Sequence, residues 1–317
     1  MQLNAITRKS ALMAILLLVV ILITATLRYA LAPNAVELAN SEFGERIIAL
    51  VLAAILYLCC GFVEGKMLPR SGLSKGYCAL PIPLYGVLAC GIFYSPNALT
   101  AASASLCLAW AVYLLLRSLH NAGEKDSVFF ASIMLGVMVL IYPPSLVFAA
   151  LIPMSFFILA LSMRQAILMV AGYLLPLFAA SYIMWYRGDS FFALLRNIFD
   201  ALMLSPMGEI ASFPYLAVTM VAVVAAVLVW GGAYAIARPD KIFSLTRVRR
   251  SLHLFVWLFV VSLAMLLIPS VDLSAMAIAA VPTAILLSFV LTILPNNQST
   301  IAYWMILLLF VAHLFVM

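Results

Sequence analysis

Long apolar runs, separated by short polar segments, constrain this chain more than any other feature of its sequence. The first run, 11–32, reads ALMAILLLVVILITATLRYALA and carries a single charge. Runs of about 17–22 apolar residues have the length of a helix that crosses a bilayer. A backbone that faces lipid must pair its N–H and C=O groups internally, which a helix does and an open strand does not. The pattern therefore predicts an all-α, polytopic transmembrane bundle.

About eleven spans are predicted within the 317 residues, which we treat as one integral membrane domain, 1–317. They are 11–32, 47–63, 77–94, 98–116, 128–142, 145–162, 166–186, 214–237, 252–269, 275–294 and 301–317. The spans 128–142 and 145–162 are short and are joined only by two prolines, which predicts a sharp break because proline removes a backbone donor. This pair is either two crossings or one re-entrant hairpin, and the second alternative leaves nine full spans.

The few charged residues are distributed unevenly between the two sides of the predicted bundle. Only 9% of residues are charged, whereas soluble proteins have about 25%. With the N-terminus inside, 13 of the 17 basic residues fall in inner segments, and the most basic of these is the loop 238–251. The positive-inside rule therefore predicts that the N-terminus lies on the cytoplasmic side of the membrane. The basic loop is predicted to lie against anionic headgroups and not to bind nucleic acid.

Charged and amide side chains are rare inside the predicted spans. No Asp, Glu, Lys, Arg, Asn or Gln lies near the middle of any of them, and Glu64 falls in an inner loop. Such an interior argues against an ion-coupled pump or a pore for charged solutes. The five cysteines lie in apolar runs without ligand spacing, which predicts packing residues and no metal site. No motif indicates a cofactor.

The basic residues on the predicted outer side are all arginines. They are Arg28, Arg46, Arg187 and Arg196. Guanidinium groups bind phosphate bidentately, so these four would form an anion site for a lipid-linked pyrophosphate sugar if they converged. Glu37 and Glu42, in the first outer loop, are the candidate catalytic acid–base residues for a glycosyl transfer. Each arginine also has an ordinary structural explanation, either as a side chain that snorkels to the headgroups or as an ion-pair partner.

The outer segment 187–213 begins with an amphipathic pattern. At 100° per residue, the stretch 191–203 places Arg196, Asn197 and Asp200 on one arc and its large apolar residues on the rest of the circle. This arrangement predicts a helix that lies flat in the outer interface with its apolar face toward the lipid. Arg196 and Asp200 are four residues apart, which is the spacing of an ion pair on a helix.

Four short elements between residues 117 and 189 carry a resemblance to a known family. They are HNAG at 120–123, YPPS at 142–145, the single arginine Arg164 in the next inner turn, and GYLLPL at 172–177. This region, about a quarter of the chain, resembles an uncharacterised family of polytopic inner-membrane proteins, mostly from Bacteroidota. The resemblance implies an architecture and no activity.

More loosely, the chain is similar to multi-span glycosyltransferases and glycan polymerases that use lipid-linked sugars. The first outer loop, 33–46, is shorter than in the glycosyltransferases. A polymerase-like arrangement, with the main outer element in the second half of the chain, fits the segment 187–213 better.

The sequence thus predicts a protein that acts at the outer leaflet in the assembly or transfer of lipid-linked glycan or envelope precursors. The alternative is a non-catalytic subunit or scaffold of a larger envelope complex, which would dock other membrane subunits through the segment 190–205 and the hairpin 128–162. A transporter is disfavoured because the predicted interior is apolar. The sequence does not decide whether the chain is an enzyme.

Overall fold

The computed structural model describes residues 11–31, 43–72, 78–90, 98–120, 125–203, 224–229, 246–266, 268, 271 and 275–316. Every regular element within these ranges is helical, and none is a strand. The elements are α1 (Ala11–Leu31), α2 (Phe43–Arg70), α3 (Pro81–Cys90), α4 (Ala98–His120), α5 (Lys125–Ile141), a 3-10 helix (Pro143–Ala150), α6 (Leu151–Leu159), α7 (Met163–Tyr186), α8 (Ala193–Met203), α9 (Thr246–Leu266), α10 (Met276–Ile293) and α11 (Asn296–Val316). A further helical stretch covers 224–229.

Five helices in the described part of the chain are long and apolar enough to cross a membrane. They are Val51–Arg70, Leu99–Leu119, Met163–Tyr186, Val248–Leu266 and Met276–Ile293. Each of them overlaps one of the spans predicted from hydropathy. The predicted all-helical class is therefore confirmed for the described residues, and the count of about eleven crossings stays a prediction.

Helix α10 lies at the centre of the bundle. Every residue from Ala277 to Leu291 is buried, and α2, α3, α4, α9 and α11 all pack against it. The hydroxyl groups of Thr283 and Ser288 donate to carbonyl oxygens four residues earlier on the same helix, at 2.6 and 2.7 Å. Because these donors are satisfied locally, α10 presents an apolar surface to its neighbours in every direction.

Helices α5 and α7 approach each other very closely, and two glycines make this approach possible. A Cβ atom on Gly172 would meet the hydroxyl of Ser132 and lie 2.8 Å from the carbonyl oxygen of Phe129. A Cβ atom on Gly136 would meet the carbonyl oxygen of Tyr173 in the same way. Small residues at such a crossing let the two backbones come into contact, which is how helices in membranes gain packing energy.

The predicted break at the paired prolines is confirmed. Helix α5 ends at Ile141, Tyr142 adopts an extended conformation (φ −135°, ψ 93°), and the 3-10 helix begins at Pro143. The 3-10 helix and α6 follow each other directly. At rises of about 2.0 and 1.5 Å per residue they extend for about 30 Å, close to the thickness of the hydrocarbon layer.

The predicted end of the second span is wrong. Helix α2 continues from Phe43 to Arg70, so Glu64 lies on a helix and not in an inner loop. Its side chain is completely buried. The hydropathy of the sequence falls at Glu64, but the helix continues because neighbouring helices cover this turn. Glu64 thus adds a buried ionisable group to the C-terminal half of the candidate span Val51–Arg70, although not to its middle.

Candidate functional site

Helix α8 has the amphipathic character that the sequence predicts, and the structure resolves its surface into three strips. Ile198 is buried, with Leu194 and Leu202 half-buried beside it, where α8 packs against α7 and the 3-10 helix. A second, exposed apolar strip consists of Phe192, Leu195, Phe199 and Met203. The third strip is polar and carries Arg196, Asn197 and Asp200. A helix with this division can rest in a membrane interface, and its position there stays a prediction.

The predicted pairing of Arg196 with Asp200 is confirmed. The Nε atom of Arg196 lies 3.8 Å from Oδ2 of Asp200, and the two side chains are 85% and 64% exposed. An exposed pair at this distance contributes at most a few tenths of a kcal/mol to helix stability, about the value measured for surface pairs. The guanidinium of Arg196 therefore remains available to an anion arriving from the surface.

Arg187 lies directly after α7, beside a group of exposed aromatic side chains. Tyr182, Trp185 and Tyr186 are all more than half exposed on the last turns of the helix. Tyrosine and tryptophan concentrate where membrane and water meet, so this end of α7 has the composition of an interface. A turn through Gly188, at φ +102°, then redirects the chain into α8. Arg187 itself is exposed.

The other predicted site residues lie partly or wholly outside the described residues. Arg28 belongs to α1 and Arg46 to α2, but the structure describes only their backbone. Glu37 and Glu42 lie outside the described ranges altogether. The predicted convergence of the four arginines and the predicted catalytic roles of the two glutamates therefore stay predictions.

A partly open cavity of about 320 Å³ lies between α3, the stretch 224–229, α9 and α10. Its walls include Leu88, Val229, Leu263 and Ala280. Among the described lining residues, Thr283 is the one with a polar side chain, and its hydroxyl already donates to the carbonyl oxygen of Ala279. The described part of the lining thus offers no free hydrogen-bonding side chain to a water molecule, and the size of the cavity is at the lower end of the range for small-molecule pockets.

The walls of this cavity come from helix ends that share one side of the predicted topology. Leu88 lies near the C-terminal end of α3, Leu263 near that of α9, and Met276 at the start of α10. With the N-terminus inside, the charge distribution assigns all three ends to the outer half of the membrane. This cavity and the exposed arginines near α8 would then belong to the same leaflet.

A polar cluster, which we define as Cys60, Glu64, Tyr85 and Ser105, is buried between α2, α3 and α4. The Ser105 hydroxyl donates to the carbonyl oxygen of Ala102 at 2.8 Å, so the Tyr85 hydroxyl is the donor in the 2.9 Å bond between the two side chains. The Cys60 sulfur lies 3.7 Å from the carbonyl oxygen of Ser105 and 3.9 Å from Oε1 of Glu64. A series of polar contacts thus joins three helices.

Glu64 is the unusual member of this polar cluster. Its Oε2 atom is buried and accepts no hydrogen bond, and among the described residues its Oε1 atom contacts only the weak thiol donor of Cys60. Among the ion pairs of the described residues, none includes Glu64. A carboxylate within a membrane protein is ordinarily paired, because removing its charge from water costs several kcal/mol.

Sequence reasoning missed the polar cluster, although one signal was present. Cys60 and Glu64 are four residues apart, and so they share a face of α2 with Tyr57, whose ring centroid lies 6.1 Å from that of Tyr85. A face with tyrosine, cysteine and glutamate at helical spacing is unusual beside an otherwise apolar run. The partners Tyr85 and Ser105 come from other helices and carry no such signal.

No protein-family model, no curated protein and no solved structure matches this chain. The function of the protein therefore has to be inferred from its own residues.

Proposed function

We propose that this chain is an inner-membrane protein of about eleven spans, with a cytoplasmic N-terminus, which binds a lipid-linked glycan or envelope precursor at the outer leaflet. The observation that carries this proposal is the apolar cavity of about 320 Å³ between α3, α9 and α10. The hydrocarbon chain of the precursor occupies this cavity, and the pyrophosphate lies at the adjacent membrane surface.

Hydrocarbon suits this cavity better than a polar solute does. The lining is apolar except for Thr283, whose donor is already used, so a sugar or an ion entering it would lose its hydration without replacement. A lipid tail loses no hydrogen bond on entry. The cavity is partly open, which lets a long chain occupy it while the rest of the lipid remains in the bilayer.

The exposed arginines supply the complementary recognition of the headgroup. Arg187 and Arg196 are exposed near an aromatic-rich helix end, where a phosphate group of the outer leaflet would lie. Under this proposal Arg28 and Arg46 complete the anion site, and Glu37 and Glu42 provide acid–base groups for a transfer reaction. Headgroup binding and hydrocarbon binding can be tested separately.

A pair of adjacent alanines provides a matched test of the cavity. Ala225 lines the cavity, whereas its exposed neighbour Ala226 does not. We expect Ala225→Trp to weaken binding of a polyprenyl pyrophosphate by about tenfold or more, or roughly 1.4 kcal/mol, because the indole occupies the space of the tail. Ala226→Trp should bind like the wild type. Binding is measured by native mass spectrometry and by titration of the purified, full-length protein in detergent.

The headgroup is tested in the same assay with two further ligands, the uncharged polyprenol and inorganic pyrophosphate. Arg187→Ala should weaken binding of the pyrophosphate lipid severalfold and leave polyprenol binding unchanged.

Equal lipid binding by Ala225→Trp and Ala226→Trp would contradict the role of the cavity. A wild-type chain that binds no lipid and copurifies with a stoichiometric membrane partner would instead favour the non-catalytic subunit.

A further inference from the structure

The carboxyl group of Glu64 requires a positively charged partner that the described residues do not provide. The side chain is fully buried within the candidate span Val51–Arg70, and Oε2 has no hydrogen-bond partner. A buried charge is stable only when it is paired or neutralised. Either a proton or another cation must therefore accompany this group whenever it is enclosed as the structure shows.

The titratable and charged groups around Glu64 do not supply that partner. Within the described ranges, four helices pack against α2. The titratable or charged side chains that the structure describes on them are Tyr85 on α3 and Cys107, Tyr113 and Arg117 on α4. Helix α10 and the described side chains of α1 include no titratable or charged group. On α2 itself, Lys66 lies 4.2 Å over the ring of Phe62, and Arg70 lies 4.5 Å over that of Tyr113. None of these cations forms an ion pair with Glu64.

The small number of ligands favours a proton over a metal ion. In the part of the chain that the structure describes, no group of three His, Cys, Asp or Glu side chains could hold a metal. Calcium and magnesium require six or more oxygen ligands, whereas Glu64 offers one oxygen without a partner and one that contacts a thiol. A proton needs a single oxygen and no additional space.

We propose that Glu64, whose side-chain contact within the polar cluster is with Cys60, is a proton-binding site within the membrane-spanning bundle. A proton from water binds to Oε2 and converts the carboxylate to a neutral carboxyl, and the reverse step returns it to water, with no other bond changed. Glu64 lies on the C-terminal part of α2. Glu64 precedes Arg70 by six residues, or about 9 Å along the helix axis. This site is independent of the lipid-binding function.

A hydrophobic carbodiimide tests this site directly, because it couples to a carboxyl group only when that group is protonated. Full-length protein in lipid nanodiscs is treated across a range of pH, and the modified residue is identified by peptide mass spectrometry. We expect labelling of Glu64 at low pH that falls about tenfold per pH unit above its midpoint. Glu64→Asp should retain labelling, Glu64→Gln should lose it, and Asp126→Asn, which removes an exposed carboxyl on α5, should leave it unchanged.

Infrared difference spectra between high and low pH provide a second readout that a purely structural glutamate would not give. The wild type should show the carbonyl band of a protonated carboxyl, and Glu64→Gln should lack it. Cys60→Ala should shift the band, because the thiol contact to Oε1 is lost, and this variant serves if Glu64→Gln does not fold.

Absence of labelling at every pH, or the same titrating band in the wild type and Glu64→Gln, would overturn the proposal. Unchanged lipid binding by Glu64→Gln would show that the two sites are separate.

Discussion

Tyr85 illustrates how single residues place polar groups in this apolar chain. Its side chain is completely buried, yet its hydroxyl donates to Ser105, which in turn donates to a backbone carbonyl. Each donor therefore has an acceptor, and the pair connects α3 to α4 without leaving an unsatisfied donor. A buried polar network of this kind stabilises one arrangement of the helices over others only when its members are all satisfied.

At the scale of the residue, removal of this hydrogen bond should have a measurable cost. We expect Tyr85→Phe to destabilise the protein by about 0.5–1.5 kcal/mol, because the ring remains and one neutral hydrogen bond is lost. Thermal unfolding in detergent measures the change. Tyr113→Phe is the matched control, since its ring contact with Arg70 does not involve the hydroxyl, and it should unfold like the wild type. A larger effect at Tyr113 than at Tyr85 would contradict the assignment.

Individual residues were predictable from the sequence where their partners are close in the chain. The pair Arg196–Asp200 follows from helical spacing alone, and the structure contains it. Glu64 was assigned to a loop because a charge after an apolar run normally marks the end of a span. Its burial depends on α3 and α4, whose contacts with α2 join residues far apart in the chain, such as Cys60 and Ser105, which are 45 positions apart. Such long-range contacts cannot be predicted from the pattern of neighbouring residues.

Among the elements, α7 shows most clearly how one helix divides its surface between protein and lipid. Five of its 24 residues are buried, against 15 of 18 in α10, and most of its exposed residues are large and apolar. The buried face is narrow and centres on Gly172, Tyr173 and Pro176. Contact with α5 therefore depends on a few small or rigid positions and not on a broad apolar surface.

Two neighbouring positions on α7 test this division. Gly172 faces α5 and has no space for a Cβ atom, whereas Ala171 is exposed. We expect Gly172→Leu to destabilise the protein by about 1–3 kcal/mol or more, because the side chain would displace the backbone of α5. Ala171→Leu adds the same side chain toward lipid and should leave the unfolding temperature nearly unchanged. Similar unfolding temperatures for the two variants would show that the α5–α7 contact is looser than the structure indicates.

Element types were predictable from hydropathy, but element lengths were not. Apolar periodicity and the paired prolines predicted the helices and the break at Tyr142, because both are local steric properties of the backbone. The extension of α2 to Arg70 depends on what packs against it. The apolar cavity has the same origin, since α3 is far in sequence from the other three segments that line it.

For the whole molecule, orientation is the property on which the proposed function depends. The charge distribution predicts that the basic start of α9 lies inside and that α8 lies outside. In intact cells, a membrane-impermeant maleimide should therefore label Arg196→Cys and reach Arg250→Cys only after permeabilisation, both positions being exposed. The wild-type chain, whose cysteines lie in apolar runs, gives the background. The reverse pattern would place the cavity in the inner half of the bilayer.

The paired prolines that separate α5 from the 3-10 helix also bear on the order in which the chain is assembled during synthesis. Pro144, Ser145 and Phe148, directly after this break, are buried, so neighbouring helices have to cover them. The 3-10 helix is packed by α5, α8 and α9, and the last two leave the ribosome later than the break itself. Until α9 has been made, this part of the nascent chain lacks its cover. Its insertion is therefore completed late, and a chain that terminates before α9 would present an unfinished membrane segment to the quality-control proteases of the cell.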